Sequence, residues 1–524
     1  MEQPQAAVSV HASAANKWLI AVAVMLATIL EVLDMTIANV ALDHIRGSLS
    51  AGVDEAAWVM TSYIIGNAIV IPLTGWLSSV FGRKRFFLFC IAAFTISSLF
   101  CGAAPTLESL VFFRVLQGLS GGVMMPLSQA ILMETFSARE QPMAMAVWGL
   151  GMMLGPIMGP IIGGWITDNY NWRWIFYINI PMGGIAFALL AATLVDPHYI
   201  KRARMHIDWF GLTLLVLGMG CLQIALDKGE REDWFNSSFI LSLAGVAALS
   251  LVFFCVRELR TPTPIIDLRV LKNRSFAVGT AFTTIVMFGL YGTYILIPLY
   301  CQLVAGYTPF LAGQVLSMQS FGTFVSIMLA GRLFHYFDPR LLVSLGCLAA
   351  GIGTWDMTHF NPSIDFWGIA GPGFLRGVGS GLIFVPMTTL TLAAVAKEQM
   401  GNASALYNMV RTVGGGIGIA LLIAFLSRGA QTHQAYLTAH VHPYSQELTQ
   451  RFATMHSGTV ANLAGSGLQG ETFLHLIYNE VQRQALLMAF VDDFRLIAWI
   501  FFLLTPVVFL MRRPPILGGS AAAH

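Results

Sequence analysis

Stretches of about twenty apolar residues follow one another along almost the whole of this sequence. An α-helix needs a stretch of that length to cross the roughly 30 Å hydrocarbon core of a bilayer. Strands of a membrane barrel alternate polar and apolar residues, whereas these stretches are continuously apolar. The sequence therefore predicts an all-α polytopic membrane protein with fourteen spans, near 18–40, 57–79, 86–104, 108–132, 143–166, 174–194, 209–226, 238–256, 276–303, 312–333, 341–359, 367–392, 404–426 and 494–511.

The composition excludes several classes of protein. Of the 524 residues, 56% are hydrophobic and 11% are charged, whereas a soluble domain is about 45–50% apolar and 25% charged. A soluble enzyme, a nucleic-acid-binding protein and a secreted disulfide-rich domain are therefore excluded. The glycine-rich run Gly377–Gly381 lies in an apolar stretch and not after a strand, so it does not predict a nucleotide site. The histidines match no metal-site motif, and we expect no metal and no cofactor.

The positions of the basic residues predict the orientation. Most of the 29 Lys and Arg residues fall in segments that lie on the cytoplasmic side if the N-terminus is cytoplasmic. Because the number of spans is even, both termini are predicted to be cytoplasmic.

An internal repeat predicts the architecture. Gly75-Trp-Leu and Gly331-Arg-Leu begin similar segments, as do Leu116-Gln-Gly and Leu375-Arg-Gly, at a shift of about 260 residues. Parallel repeats of six helices are typical of transporters. The predicted units are a tail (1–17), a six-helix bundle (18–196), a two-helix insert with its cytoplasmic linkers (197–262), a second six-helix bundle (263–511) that includes a long periplasmic loop (427–493), and a tail (512–524).

Six motifs, each in the expected span or loop, carry a resemblance to a known family. They are LDMTIANVAL (Leu33–Leu42), GWLSSVFGRKR (Gly75–Arg85), FFRVLQGLSGG (Phe112–Gly122), GLGMMLGPIMGPIIGG (Gly149–Gly164), NWRWIFYINIPMG (Asn171–Gly183) and PIIDLRVLKNRSF (Pro264–Phe276). With them the chain resembles the fourteen-helix drug:proton antiporters of the major facilitator superfamily over essentially its whole length.

The resemblance implies both a fold and a function. It implies a multi-pass protein of the bacterial inner membrane that exports lipophilic drugs, with the proton gradient as its energy source. It also implies that the long loop docks onto a periplasmic adaptor, which with an outer-membrane channel would complete a tripartite system. A cap over the cavity is the alternative role for this loop.

The loop motif with Gly75, Gly82, Arg83 and Lys84 departs from the family at two positions. The family usually has an acidic and then a basic residue where this chain has Ser79 and Val80. That acidic residue takes part in an ion pair that holds the cytoplasmic side closed, so this closure must be weaker or built differently here.

Charged residues inside predicted spans are the best candidates for proton coupling. A charged side chain at the centre of a bilayer costs about 2.5–3.5 kcal/mol even on the translocon-insertion scale, which gives lower costs than simulations do. Glu31 and Asp34 share one face of the first span, and Arg114 lies well inside the fourth. Apolar surroundings raise the pKa of a carboxyl group, and a nearby guanidinium lowers it. A carboxylate whose surroundings alternate between the two can therefore bind and release a proton near neutral pH. We expect Asp34 to carry the proton, with Glu31 as second candidate and Arg114 as partner; a static ion pair is the alternative.

The remaining candidates concern the substrate cavity and a hinge. Arg376 and Arg411 lie among glycines. They either attract anionic substrates or neutralise a carboxylate in the cavity, or they bond to backbone carbonyls of a broken helix or extend to the membrane surface. Polarisable or amphipathic side chains on spans expected to line the cavity are the further substrate-binding candidates: Met124, Met125, Tyr291, Tyr294, Gln319, Tyr407 and Asn408. A four-residue spacing of small residues predicts a hinge or a close helix contact in the fifth span, at Gly151, Gly155, Pro156, Gly159, Pro160, Gly163 and Gly164.

Three alternatives to drug export stay open. Export of one endogenous metabolite, such as a fatty acid or a siderophore, uses the same architecture. An enzyme that modifies lipids within the membrane would need a nucleophile or a His/Asp cluster, and none is visible, so no enzyme is predicted. A passive channel is disfavoured by the repeat and the hinge glycines.

Overall fold

The computed structural model describes residues 14–195, 208–261, 264–334, 336–440 and 469–510, and this part of the chain is helical with turns and without strands. Within it, fourteen helical segments are long and apolar enough to cross a membrane. Each coincides with one predicted span, so the predicted fold class is confirmed. Most of the predicted N-terminal tail, the whole C-terminal tail and the middle of the predicted long loop lie outside the described residues.

The first bundle contains ten helices that build six spans. They are α1 (Ala14–Val40), α2 (Leu42–Ser48), α3 (Val53–Val70), α4 (Thr74–Phe81), α5 (Arg83–Ala103), α6 (Leu107–Gly121), α7 (Met124–Thr135), α8 (Gln141–Asn169), α9 (Trp174–Tyr177) and α10 (Asn179–Thr193). A 3₁₀ turn at Ile71–Leu73 links α3 to α4, because Pro72 removes a backbone donor there. Helix α1 packs against α8, α7 and α10, while α3 packs against α6.

The second bundle repeats this packing with α13 (Arg274–Leu303), α14 (Pro309–Leu333), α15 (Pro339–Asp356), α16 (Phe366–Ala393), α17 (Met400–His440) and α18 (Gln469–Val507). Here α13 packs against α17 and α14 against α16. Two equivalent glycines show the correspondence. A Cβ atom on Gly118 of α6 would lie 2.2 Å from the Tyr63 carbonyl oxygen, and one on Gly377 of α16 would lie 2.0 Å from that of Gln319. Both helix pairs therefore cross at backbone contact.

A two-helix insert, α11 (Trp209–Lys228) and α12 (Ser238–Arg260), lies beside the bundles. Helix α11 contacts α3 of the first bundle and α17 of the second, and α12 packs on α11. Asp208 caps α11 and accepts a hydrogen bond from Arg257 of α12 at 2.6 Å, which lowers the pKa of the Asp208 carboxyl. The outer face of α12 exposes large apolar side chains that suit contact with lipid: Phe239, Leu241, Leu249, Val252 and Phe253.

The two bundles meet on the side of the molecule where α4 ends and α5 begins, which we call the motif side. There the Ser404 hydroxyl of α17 donates to the Pro126 carbonyl of α7 at 2.7 Å. A Cβ atom on Gly75 would lie 2.7 Å from Cα of Asn402. A cavity of about 870 Å³ opens on the other side, between the α2–α3 and α5–α6 connections of the first bundle. The structure is thus closed between the bundles on the motif side, which the sequence predicts to be cytoplasmic.

The helices beside the predicted long loop extend further than the predicted spans. Helix α17 continues to His440, and α18 begins at Gln469. A hydropathy window detects only the part of a helix that matches the bilayer, so it misses helical turns that continue beyond the apolar stretch. The helix that begins at Gln469 is continuous with the last span.

Candidate functional site

The centre of the first bundle contains a fully hydrogen-bonded carboxylate. Asp34 of α1 is 2% exposed, and its Oδ2 accepts from Nη1 of Arg114 at 2.6 Å. Its Oδ1 accepts from the side-chain amides of Gln117 at 2.9 Å and Asn179 at 2.6 Å. Four side chains from α1, α6 and α10 therefore form one site, which we call the Asp34 cluster.

Arg114 is fixed by further contacts besides its ion pair. Its Nε donates to the Val59 carbonyl at 3.1 Å, and Nη1 also donates to Oε1 of Gln117 at 2.9 Å. The guanidinium lies over the ring of Tyr63, 4.5 Å from the centroid. Such contacts partly replace the water that Arg114 loses on burial. The sequence prediction that Arg114 is the partner of Asp34 agrees with this geometry.

Glu31 lies one helical turn from Asp34 in a less complete environment. It is 4% exposed, and its Oε1 accepts from the Asn67 side chain at 3.1 Å. Its Oε2 makes no well-formed hydrogen bond among the described residues, and the backbone of Met125 lies beside the carboxylate. Arg411 of the second bundle lies within electrostatic range. The two carboxylates of α1 are therefore in different surroundings, one saturated and one partly open.

Arg411 lies between the two bundles, where its Nη2 contacts the sulfur of Met125 at 2.8 Å. The rings of Trp148 and Phe384 each lie 6.0 Å from its guanidinium carbon. Nε and Nη1 have no hydrogen-bond partner within the described part of the chain. A cation with free donors among polarisable groups is suited to hold a ligand or to respond to Glu31.

A second group of polar side chains lies inside the second bundle. Arg376 of α16 is completely buried and donates from Nη2 to the carbonyls of Gly289 at 3.1 Å and Leu290 at 3.2 Å. Gln319 of α14 is 1% exposed, and the Tyr294 phenol lies beside both residues. Three predicted substrate-binding residues thus lie together, although the sequence does not show that they are neighbours.

The other predicted substrate-binding residues are scattered. Met124 is fully buried in the core of the first bundle. Tyr291 is 37% exposed and packs against Gly415. Tyr407 lines a narrow cavity in the second bundle. Asn408 donates to Oε1 of Gln129 at 2.6 Å and so joins the bundles on the motif side.

The glycines of the fifth span form one contact face on α8. Cβ atoms on Gly151, Gly155 and Gly159 would lie 2.2 to 2.5 Å from side-chain atoms of α1, and one on Gly163 would lie 3.3 Å from its backbone. Gly164 faces away and has no atom within 4 Å. Helix α8 is continuous through Pro156 and Pro160. Close packing of α8 on α1 is therefore present.

The loop motif is built around Gly82, whose φ of 84° lies in the left-handed region that favours glycine. Arg83 forms a buried ion pair with Glu134 at the end of α7, and Lys84 donates to the Ala191 carbonyl at 2.7 Å. Both pairs lie within the first bundle. Closure between the bundles at this motif uses the contact of Gly75 with Asn402, so it does not depend on charges at Ser79 and Val80.

Sequence reasoning missed several residues that complete the site. Gln117 and Asn179 bind Asp34, Asn67 binds Glu31, and Gln129 binds Asn408. Gln117 could have been found, because it lies one turn from Arg114 on the same helix. Among the described residues, no group of three His, Cys, Asp or Glu side chains could hold a metal ion.

Comparison with known proteins identifies relatives over nearly the whole chain. The model of the Major Facilitator Superfamily matches residues 24–419. The multidrug export protein EmrB of Haemophilus influenzae is 39% identical over 82% of this chain and 84% of that protein. EmrB of Escherichia coli K12 is 35% identical over 96% of this chain and 97% of that protein. The fatty acid resistance protein FarB of Neisseria gonorrhoeae is 36% identical over 94% of this chain and 96% of that protein.

Solved structures of more distant proteins share the fold. The human organic anion transporter MFSD10 superimposes with a TM-score of 0.58 at 12% identity, over 93% of this chain and 99% of that one. The proton:xylose symporter XylE superimposes with a TM-score of 0.57 at 12% identity, over 95% of this chain and 99% of that one.

Proposed function

We propose that this chain, which belongs to the major facilitator superfamily, exports lipophilic drugs across the bacterial inner membrane in exchange for protons. The observation that carries the proton part of this proposal is the Asp34 cluster. An apolar residue would pack in the middle of this bundle at a lower cost in free energy than a carboxylate held by a guanidinium and two amides. Packing alone therefore does not explain why a carboxylate is there.

A proton on Asp34 changes the packing of the first bundle. Protonation removes the negative charge that holds the Arg114 guanidinium and the amides of Gln117 and Asn179. Charge-assisted hydrogen bonds are roughly twice as strong as neutral ones, so α6 and α10 are held less firmly on α1. The proton thereby favours a different arrangement of these helices.

Glu31 and Arg411 connect this change to the second bundle. Glu31 lies on the same helix as Asp34, and Arg411 lies across the interface between the bundles. A lipophilic drug that enters beside Met125, Trp148 and Phe384 separates or screens these two charges. The drug then acts on Glu31 and Arg411 while the proton acts on Asp34, one turn away on the same helix, so that α1 couples the two events as exchange transport requires.

The proton gradient supplies enough free energy for export. One proton that moves through 100 mV releases about 2.3 kcal/mol, and each unit of pH adds about 1.4 kcal/mol. Together they sustain a gradient of a few hundred-fold for a neutral substrate per proton.

A periplasmic adaptor and an outer-membrane channel belong to the proposal as partners. The support is the similarity to EmrB proteins along almost the full chain and the extension of α17 and α18 beyond the predicted spans. Export of a fatty acid is the second candidate function, and the 36% identity to FarB favours it.

Inverted membrane vesicles test the proposal. Respiration acidifies the vesicle interior, a fluorescent dye reports the acidity, and tetraphenylphosphonium serves as a lipophilic substrate. We expect the substrate to trigger proton release from vesicles with the wild type and not from vesicles with Asp34→Asn at matched expression. Asp356→Asn, which removes an exposed carboxylate at the end of α15, is the control and should behave as wild type. Equal release with Asp34→Asn would contradict the role of Asp34 and transfer it to Glu31.

A further inference from the structure

Arg376 is a buried cation whose charge no carboxylate of the described residues balances. Its side chain is 0% exposed, and only Nη2 donates hydrogen bonds, both to backbone carbonyls. Nε and Nη1, which carry three of the five N–H groups of a guanidinium, have no partner among the described residues. A buried guanidinium with unused donors is costly, so a purely structural role explains it poorly.

The neighbouring side chains extend this set of unused groups. The Gln319 side-chain amide lies beside the Tyr294 phenol, and its oxygen and nitrogen make no well-formed hydrogen bond within the described part of the chain. The only charge interaction that Arg376 makes with a titratable side chain of those residues is with the Tyr294 phenol. Guanidinium, amide and phenol from α16, α14 and α13 are therefore neighbours inside the second bundle.

The repeat explains why a carboxylate is missing there. Gly377 contacts the Gln319 carbonyl as Gly118 contacts the Tyr63 carbonyl, so Arg376 occupies the position that Gln117 has in the first bundle. Gly418 contacts Phe288 as Gly155 contacts Val32. By that register, the counterpart of Asp34 is an apolar residue, Leu290.

The two bundles thus use equivalent positions differently. In the first, Gln117 donates to the Asp34 carboxylate. In the second, Arg376 donates to the backbone carbonyl of Leu290, and no side chain at that position supplies a negative charge. The second bundle has the donors of an ion-pair site without the anion.

We propose that the anionic head group of an amphiphilic substrate, a carboxylate or a sulfonate, binds to Arg376 and Gln319 inside the second bundle. This inference rests on the proposed export of lipophilic molecules and names one chemical class among them. The Leu290 backbone carbonyl accepts from Nη2 of Arg376, and the Ser380 hydroxyl donates to the Arg376 backbone carbonyl. Both residues line a cavity with Phe384 and Met387. The apolar part of the substrate lies in that cavity.

The cavity is narrow in this conformation, about 10 Å³. Phe384 also contacts Arg411 at the interface between the bundles, so separation of the bundles on the motif side frees one wall of the cavity. The head-group site is therefore closed in the present state and accessible when the bundles open.

Binding to the purified full-length protein in lipid nanodiscs tests the proposal. The probes are 1-pyrenebutyrate and its neutral amide, 1-pyrenebutyramide, which differ only in the head group, and energy transfer from tryptophan to pyrene reports binding. We expect Arg376→Gln to raise the Kd of pyrenebutyrate about tenfold or more and to change the Kd of the amide less than about threefold. Arg376→Lys, which keeps the charge, should retain most of the preference for the anion.

Arg332→Gln is the matched control, because it removes an exposed arginine of the same bundle and should leave both Kd values unchanged. The proposal is overturned if the wild type binds both probes with equal Kd. It is also overturned if Arg376→Gln raises the Kd of both probes equally or changes neither Kd. Displacement of pyrenebutyrate by chloride would also overturn it, because the site would then hold an inorganic anion.

Proton release with tetraphenylphosphonium separates this proposal from the proposed function. Thermal unfolding of Arg376→Gln in the same nanodiscs shows whether the variant is folded, so that weaker binding of pyrenebutyrate is not caused by unfolding. If the wild type itself releases no protons, the proposed exchange fails, while the binding experiment still reports on the anion site.

Discussion

Glu31 and Asp34 show how two carboxylates on one helix face acquire different properties. Both oxygens of Asp34 accept hydrogen bonds, from Arg114, Gln117 and Asn179. Glu31 has one oxygen that makes no well-formed hydrogen bond among the described residues and has a cation in the opposite bundle. The first arrangement favours a fixed local ion pair, and the second favours one that changes when the bundles move.

The coupling between Glu31 and Arg411 can be measured with a double-mutant cycle. Each single change, Glu31→Gln or Arg411→Gln, leaves the other charge buried without its partner, and we expect it to destabilise the protein by about 1–3 kcal/mol. The double variant should be less destabilised than the sum by about 0.5–3 kcal/mol. Thermal unfolding in nanodiscs gives the comparison.

The control cycle pairs Glu31→Gln with Arg340→Gln, which alters a buried arginine of α15 in the second bundle. Changes at distant sites add within about 0.5 kcal/mol. If both cycles are additive, Glu31 and Arg411 do not interact across the interface.

At the scale of elements, the glycine face of α8 determines how closely α1 approaches. A Cβ atom on Gly155 would lie 2.4 Å from Cγ1 of Val32 and 3.0 Å from the Val32 backbone carbon. Rotation of the valine side chain cannot relieve the backbone contact, so the helices must separate. Small residues at helix crossings permit this proximity in membranes.

Gly155→Ala and Gly164→Ala form a matched pair on the same helix. Gly155→Ala should lower stability by about 1–3 kcal/mol through overpacking and slow transport. Gly164→Ala should be neutral or slightly stabilising, because it meets no atom within 4 Å and alanine favours helix. Thermal unfolding and substrate-triggered proton release are the measurements. Equal effects of the two changes would contradict the contact face.

At the scale of the whole molecule, the closed motif side indicates one end state of a transport cycle. The bundles are joined there by Ser404 and Asn408 of α17, which bond to Pro126 and Gln129 of α7. Helices α14 and α8 also pack against each other across the interface. Export requires these contacts to break and form again.

A disulfide across the motif side should stop the cycle. A Cβ atom on Gly331 would lie 2.8 Å from Cβ of Ala146, and disulfides join Cβ atoms about 3.8 Å apart, so a small shift suffices. We expect the pair Ala146→Cys and Gly331→Cys to lose proton release on oxidation and to regain it on reduction. Ala146→Cys alone should be insensitive to oxidation. Transport that continues in the fully cross-linked protein would show that this side does not open.

Much of this protein was predictable because the relevant signals are local. Each span depends on the hydropathy of about twenty consecutive residues, so all fourteen spans were found and the fold class was confirmed. The repeat and the motifs led to the family, which comparison confirmed. Glu31, Asp34 and Arg114 stand out since a charge is rare in an apolar stretch. Their roles in proton transfer, and the cytoplasmic position of the termini, stay predictions.

The tertiary structure alone decided what surrounds those charges. Asn179 reaches Asp34 because α10 packs on α1, and Arg376 meets Gln319 because α16 and α14 cross at backbone contact through Gly377. The hydropathy of a segment specifies that its helix lies in the membrane. Because all faces of such a helix have nearly the same hydropathy, it cannot determine which face meets which neighbouring helix. A hydrogen bond requires positions correct within a few tenths of an ångström, and that precision comes from the packing of all the helices together.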